Sequence, residues 1–198
     1  MKRGSRAWAG LAVLLGACAL AGWPLPREAI DWQPALAARE PWRAVSALGV
    51  HYSVEHLVAN LAGAALAGVF GMVAQVPARL AWAWLAAWPL TQLGLLVRPD
   101  LAHYGGLSGV LHAGFAVVVV FLLITGTRAQ RWAGGAALLG LCAKIVGESP
   151  WGDTLRHPPG WDIAVVPLAH ATGALAGALC ATIASWPLRA ASTPTEHA

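Results

Sequence analysis

Six stretches of mostly apolar residues run along the chain, separated by shorter and more polar connections. They cover about residues 8–23, 53–76, 80–97, 104–125, 132–146 and 163–186. A helix needs roughly 20 mostly apolar residues to cross the hydrocarbon core of a bilayer. The pattern therefore predicts an all-α membrane protein with six transmembrane helices, in which residues 1–198 form a single domain.

The composition supports this interpretation and excludes several classes of protein. Hydrophobic residues make up 58% of the chain and charged residues 11%, against about 45–50% and about 25% in soluble domains. The net charge of +4 comes from scattered Lys and Arg, without the basic stripe that binds nucleic acid. The three cysteines lie inside apolar runs and are odd in number, so neither a disulfide framework nor a zinc site is indicated.

The tryptophans and the long connection 24–50 indicate where the chain meets the membrane surface. An indole ring suits the headgroup layer, and several of the 11 tryptophans lie near segment ends: Trp23, Trp42, Trp132, Trp151, Trp161 and Trp186. Trp82, Trp84 and Trp88, inside the third segment, are interpreted as core residues. The connection 24–50 is interrupted by prolines and charges, so we expect it to be partly helical and embedded in the interface.

Basic residues predict the orientation of the six segments. They lie at the start of the chain and in every second connection: Lys2, Arg3, Arg6, Arg79, Arg128, Arg131 and Arg189. The positive-inside rule then places both termini in the cytoplasm and the connections 24–50, 98–103 and 147–162 outside. The first segment has two alternatives to a retained span: a cleaved signal peptide, or a lipoprotein signal cleaved at Cys18.

Few polar side chains lie inside the predicted spans, and such residues mark functional sites by default. They are His56, Asn60, Ser108, His112 and His170. All lie roughly 5–15 Å below the outer surface when counted at about 1.5 Å per residue. They can therefore share one cavity. Lys144 and Glu55, close to the outer ends of their segments, can reach water and need no function.

Serine chemistry is the most specific interpretation of these residues. Ser108 lies in the glycine-rich stretch 105–109 at the start of a span, where glycines allow backbone conformations denied to other residues. A hydroxyl becomes a good nucleophile when a base accepts its proton, and His170 is a candidate base. His56 and Asn60, at positions i and i+4, are candidate oxyanion donors together with the Ser108 amide. Taken alone, each residue also has a structural explanation, such as packing for Ser108 and close helix contact for Gly173 and Gly177.

These residues resemble the motifs of the rhomboid intramembrane proteases. The second segment carries His51-x-Ser53-x-x-His56-x-x-x-Asn60, the fourth carries Gly106-x-Ser108-Gly109, and the last carries Ala169-His170-x-x-Gly173-x-x-x-Gly177. Trp42-Arg43 resembles the Trp-Arg pair of the first outer loop. The resemblance covers residues from about 40 to 186 and implies a six-helix rhomboid-like bundle.

Carried over to this chain, the resemblance implies a serine endopeptidase that uses a Ser108–His170 dyad. His56, Asn60 and the Ser108 amide would stabilise the transition state. Gly106 and Gly109 would support the nucleophile, and Gly173 and Gly177 would bring the last span close to the fourth. No acidic residue lies at matching depth within the predicted spans, which favours a dyad over a triad. No cofactor or metal is implied.

One departure from the usual pattern indicates a branch of the family. Many rhomboids have Tyr four residues after the serine, where this chain has His112. Together with the small size, this resembles the rhombosortases, whose substrates carry a C-terminal tail with a Gly-Gly-type motif, a hydrophobic span and a basic end. The partners expected are such transmembrane proteins and the lipid bilayer. The expected location is the bacterial inner membrane, with the active site opening toward the periplasm.

Two other classes of protein compete with this interpretation. One is a catalytically silent rhomboid-like protein that binds transmembrane clients, which the presence of both Ser108 and His170 disfavours. The other is a membrane carrier or haem protein that uses histidine ligands. Haem usually needs histidine pairs that face each other across a bundle, whereas here the histidines lie near one membrane face.

Overall fold

The computed structural model describes residues 3–190, so Lys2 and residues 191–198 lie outside the described residues. The described chain is helical. Its α-helices are α1 (Arg3–Gly22), α2 (Arg27–Ile30), α3 (Arg43–Ser46), α4 (Val54–Val73), α5 (Ala78–Leu93), α6 (Ser108–Thr125), α7 (Arg128–Glu148) and α8 (Pro167–Ala190). Short 3₁₀ turns lie at Pro34–Leu36, Ala47–Gly49 and Gly94–Val97.

Five of the long helices are apolar enough to cross a membrane. These are α1, α4, α5 together with the turn that follows it, α6 and α8. Helix α7 has 21 residues and is long enough, but its mean hydropathy is lower because it is rich in Gly and Ala and carries Arg128, Arg131, Lys144 and Glu148. The all-helical membrane architecture is confirmed, while the count of six spans remains a prediction.

Helices α6 and α8 begin a few residues after the predicted span starts at 104 and 163, and the reason is the same for both. Residues 104–107 precede helix α6, because Tyr104 forms an isolated antiparallel bridge with Trp32. Residues 163–166 precede helix α8, because Val165 forms a similar bridge with Arg156. In both places the backbone pairs with another stretch of chain instead of a helical turn. Tyr104 pairs with the distant Trp32, and Val165 pairs with Arg156 in the loop just before it. The hydropathy pattern of the sequence does not reveal such pairing.

Helix α8 packs against α6 and α5. Its approach to α6 is very close. A Cβ atom added at Gly173 would come within 2.0 Å of the Gly109 carbonyl oxygen, and one added at Gly177 within 2.2 Å of the Ala113 oxygen. Small residues at these positions let the two backbones touch. The positions of Ser108 and His170 are therefore fixed by backbone contact between their helices.

On the other side of the bundle, α1 packs against α4 and α5 through aromatic contacts. The rings of Trp8 and Trp84 stack with centroids 4.5 Å apart, and the Trp8 indole donates to the Ala67 carbonyl at 2.9 Å. Trp84 and Trp88 are buried, in line with their interpretation as core residues. The same interpretation of Trp82 was wrong, because its side chain is 69% exposed on the outer surface of the bundle.

The connection 24–50 is partly helical, as expected, and part of it is buried against the bundle. Trp32 and Leu48 are almost fully buried. The Arg43 guanidinium is also buried, where it donates to the Asp31 carboxylate at 3.1 Å and to the Asp31 carbonyl at 2.9 Å. A buried, paired charge of this kind fixes the path of the loop around it. The loop in turn positions the glycines before Ser108, since the Gly106 amide donates to the Ala47 carbonyl at 3.0 Å.

Candidate active site

Ser108 is the first residue of helix α6. The amides of the first helical turn have no carbonyl partner within the helix, so the Ser108 N–H is available to a ligand. Gly106 just before it has φ of +134°, a conformation that favours glycine. A Cβ atom there would also lie 3.0 Å from the ring of His56. The glycines thus allow the chain to pass close to His56 and present Ser108 at the helix start.

His170 approaches Ser108 from helix α8. Its Nε2 atom lies 2.9 Å from the Ser108 hydroxyl oxygen, and the His170 residue is only 7% exposed. This is the distance at which an imidazole accepts a hydroxyl proton. The two residues predicted as nucleophile and base are therefore brought into hydrogen-bond contact, 62 positions apart in the sequence.

His56 and Asn60 lie side by side on α4 and face the same space. The His56 Nδ1 atom accepts from the Tyr52 amide at 3.4 Å, which places the ring proton on Nε2, the atom next to Gly106. Asn60 is buried, and its Nδ2 amide has no hydrogen-bond partner among the described residues. Two N–H donors are thus held near Ser108 without a protein acceptor, as an oxyanion site requires.

His51 and Tyr52, which lie just before α4, influence the charge around His56. Burial lowers the pKa of His51, whose ring centroid lies 4.8 Å from that of His56. His51 therefore stays neutral at neutral pH and adds no competing cation. Burial also raises the pKa of Tyr52 to about 12, so its hydroxyl remains protonated.

His112 lies one helical turn after Ser108 and packs on the base. Its ring stacks against the His170 ring with centroids 4.2 Å apart and an angle of 16° between the planes. Its Nδ1 atom donates to the Ser108 carbonyl at 2.7 Å. His112 thus occupies the position expected of a ring that supports His170.

The sequence interpretation missed Glu148, the last residue of α7. Its carboxylate accepts from Nδ1 of His170 at 2.6 Å, and its other oxygen lies 2.5 Å from the Lys144 ammonium. An acidic group therefore contacts the predicted base, although it lies outside the predicted spans, within which no acid was expected. Glu148 lies just beyond the predicted span 132–146, and the signal that could have found it is the Lys144-x-x-x-Glu148 pair at the outer end of that segment.

These side chains line a cavity of about 780 Å³ between α4, α6, α7 and α8. Ser108, His56 and His170 also line a second cavity of about 420 Å³ that lies under the outer loop 149–166. That loop is tied down by Asp162, which accepts from Ser53 at 2.8 Å, and by Thr154, which donates to Asp100. The Thr154 hydrogen bond lowers the pKa of the Asp100 carboxyl. Ser108 thus faces both an apolar space between helices and a space below an anchored loop.

His170 is fully occupied by hydrogen-bond partners. Both ring nitrogens of His170 are engaged, one by Ser108 and the other by Glu148. Within residues 3–190, no three His, Cys, Asp or Glu side chains converge as a metal site would require. This arrangement offers no support for the haem or metal carrier.

Fold and site together define an integral membrane protein with a serine and a histidine paired between two apolar helices. The Rhomboid domain family matches residues 38–187 of the sequence. The chain therefore belongs to the rhomboid family, whose members are generally intramembrane serine proteases. No curated protein and no solved structure matches the chain.

Proposed function

We propose that this protein is an intramembrane serine protease in which Ser108 is the nucleophile and His170 the general base. The observation that carries the proposal is the 2.9 Å contact between the Ser108 hydroxyl and Nε2 of His170 at the wall of the cavity. A serine hydroxyl is a weak nucleophile until such a base accepts its proton. The side chains of Ser108 and His170 are positioned for that transfer.

In the proposed reaction, Oγ of Ser108 attacks the carbonyl carbon of a peptide bond in a transmembrane substrate while its proton passes to Nε2 of His170. The carbonyl oxygen becomes an oxyanion, which Nε2–H of His56, the Asn60 amide and the Ser108 N–H would stabilise. The intermediate collapses as His170 returns the proton to the leaving amine. Water then hydrolyses the acyl-enzyme by the same route and regenerates the serine.

The direct test is cleavage of a transmembrane reporter by Ser108→Ala and His170→Ala variants of the full chain. Each should abolish cleavage, and the double variant should be no worse than either single one, because residues that act as a unit do not add. Ser185→Ala is the control, since Ser185 is a fully buried serine of α8 that lacks a hydrogen-bond partner among the described residues. Cleavage by Ser108→Ala near the wild-type rate would exclude Ser108 as the nucleophile.

The substrate class is a finer part of the proposal. We propose a rhombosortase-like protease that cuts C-terminal tails with a Gly-Gly-type motif, a hydrophobic span and a basic end. His112 at the position of the more common Tyr supports it, through the resemblance described above. A reporter with a Gly-Gly tail should be cut faster than the same reporter with Leu-Leu at that place. Equal rates would instead favour a rhomboid protease that cleaves other membrane substrates.

The proposed orientation has six spans, both termini in the cytoplasm and the active site toward the periplasm of a bacterial inner membrane. It requires α7 to span, although α7 is the least apolar of the long helices. A reporter fused after Arg131 should report cytoplasm, and one fused after Asp153 should report the outer compartment. If both reported the same compartment, α7 would not cross the membrane.

A further inference from the structure

The link between Glu148 and His170 joins two helices at the mouth of the cavity. Glu148 ends α7 and His170 lies in the first turns of α8. One carboxylate oxygen lies 2.6 Å from Nδ1 of His170, and the opposite ring nitrogen lies 2.9 Å from the Ser108 hydroxyl. The serine, the imidazole and the carboxylate therefore form a continuous hydrogen-bonded chain.

The geometry of this chain determines which ring nitrogen carries the proton. A carboxylate only accepts hydrogen bonds, so Nδ1 of His170 must be the protonated nitrogen when it faces Glu148. Nε2 then presents its lone pair to the Ser108 hydroxyl, as a general base requires. When His170 takes the serine proton, the negative charge of Glu148 lies 2.6 Å from the new cation and favours it.

Glu148 is itself held in place from two directions. Lys144, one turn earlier on α7, binds the carboxylate oxygen that His170 leaves free. Arg156 from the outer loop donates to the Glu148 backbone carbonyl at 2.7 Å, which fixes the end of the helix. The Glu148 side chain is 25% exposed. A partly exposed carboxylate with two cationic neighbours is stable as an anion and remains available to His170.

We propose that Glu148 is a positioning residue that completes a Ser108–His170–Glu148 triad by fixing the tautomer of His170 and stabilising its protonated form. The proposal rests on the proposed protease function and extends it beyond a two-residue dyad. The other titratable groups around His170 are the stacked His112 on α6 and, farther away, His56 on α4. Neither can accept the Nδ1 proton in place of Glu148, because that nitrogen already faces the carboxylate.

The test compares Glu148→Gln with Glu55→Gln in the full-length protein reconstituted in lipid vesicles. Glu55 is an exposed carboxylate near the start of α4 and serves as the matched control. Cleavage of the transmembrane reporter is measured over about pH 5 to 9, the range in which histidine titrates. The same profile is recorded for labelling by a fluorophosphonate, in which Ser108 Oγ bonds to phosphorus, fluoride leaves and the hydroxyl proton passes to His170.

We expect Glu148→Gln to lower kcat by about 10²-fold with little change in KM, a typical effect of losing efficient proton transfer. The acid limb of both profiles should move to lower pH, because an imidazolium without its counter-charge loses its proton more easily. Glu148→Asp keeps the charge and should recover part of the rate. Glu55→Gln should leave both rate and profile unchanged.

Two results would overturn the inference. One is a wild-type rate and profile for Glu148→Gln. The other is a lower rate with an unmoved acid limb and a lower melting temperature, which would make Glu148 a structural residue only. Ser108→Ala is measured in parallel, so that a failure of this inference can be distinguished from a failure of the proposed function. If Ser108→Ala were active, the protease proposal itself would fail, whatever Glu148 does.

Discussion

Helix α6 packs against α8 and α7, two of its neighbours in the bundle, in different ways. Against α8 the backbones touch, so that neither Gly173 nor Gly177 has room for a Cβ atom. On α7, Gly134 faces α6 closely, since a Cβ atom added there would lie 3.0 Å from Cβ of Leu122. The other glycines of α7 have open space around them. A Cβ atom added at Gly135, Gly140 or Gly147 would meet nothing within 4 Å, and Gly134 and Leu141 are the buried residues of this helix.

Close packing of α6 on α8 and looser packing of α7 match two different requirements of a protease that acts inside a membrane. The proposed nucleophile and base need a fixed distance, and they lie on the pair of helices whose backbones are in contact. The large cavity is lined on its other side by α7, where loose packing leaves space for a substrate segment. Glu148 comes from that looser helix, so its contact with His170 depends on where the end of α7 lies.

The largest effect is expected from filling the α6–α8 contact. The double variant Gly173→Ala and Gly177→Ala places two methyl groups about 2 Å from carbonyl oxygens of α6, so the helices must move apart. Overpacking of this kind typically costs about 1–3 kcal/mol per site, and a displacement of about 1 Å at the reacting atoms can cost about 10²-fold in rate. Thermal unfolding in detergent and reporter cleavage measure the two effects.

An effect on catalysis alone, with stability unchanged, is expected at Asn60, which lies on α4 across the cavity from α7. Asn60→Ala removes an oxyanion donor and should lower kcat by about 10²–10³-fold while KM changes little. Gln92→Leu is the control. It replaces another buried amide, which has no hydrogen-bond partner among the described residues and does not line the large cavity. An effect of Asn60→Ala on KM alone would make Asn60 a substrate-binding or packing residue.

Much of the site could be predicted because its residues stand out against their surroundings. His56, Asn60, Ser108, His112 and His170 are polar residues in apolar segments, and helical spacing with consistent depth brings them to one place. The close-packing role of Gly173 and Gly177 is visible in their four-residue spacing. These features are local in the sequence or repeat with the period of a helix.

What could not be predicted depends on how distant loops meet. Glu148 lies at a helix end, where a charged residue is commonplace, and only the fold shows that it faces His170 and not water. The early residues of two predicted spans pair with loop residues instead. Tyr104 pairs with the remote Trp32, and Val165 with Arg156 in the loop just before it. Trp82 differs from Trp84 only in the face of α5 that it occupies, and composition does not reveal that face.

His112 lies between the two regions, since it stacks on His170 and also lines the cavity toward α7. His112→Tyr should keep activity within about one order of magnitude and move the acid limb of the pH–rate profile to higher pH. The reason is that a second imidazole beside the base competes for the proton, and tyrosine does not. His112→Phe, which keeps only a ring, is the companion variant. Near-complete loss in both would show that His112 itself transfers protons, and no pH shift in either would leave it a packing residue.

The smallest effect is expected on α7, and it is the matched counterpart of the first prediction. Gly135→Ala adds one methyl group where nothing lies within 4 Å, and alanine is more favourable than glycine inside a helix by about 0.5–1 kcal/mol. The variant should therefore melt at the same or a slightly higher temperature and cut the reporter at the wild-type rate. A loss comparable to that at Gly173 would mean that α7 packs tightly during catalysis. The looser packing of α7 compared with α8 would then hold only in the resting state of the protein.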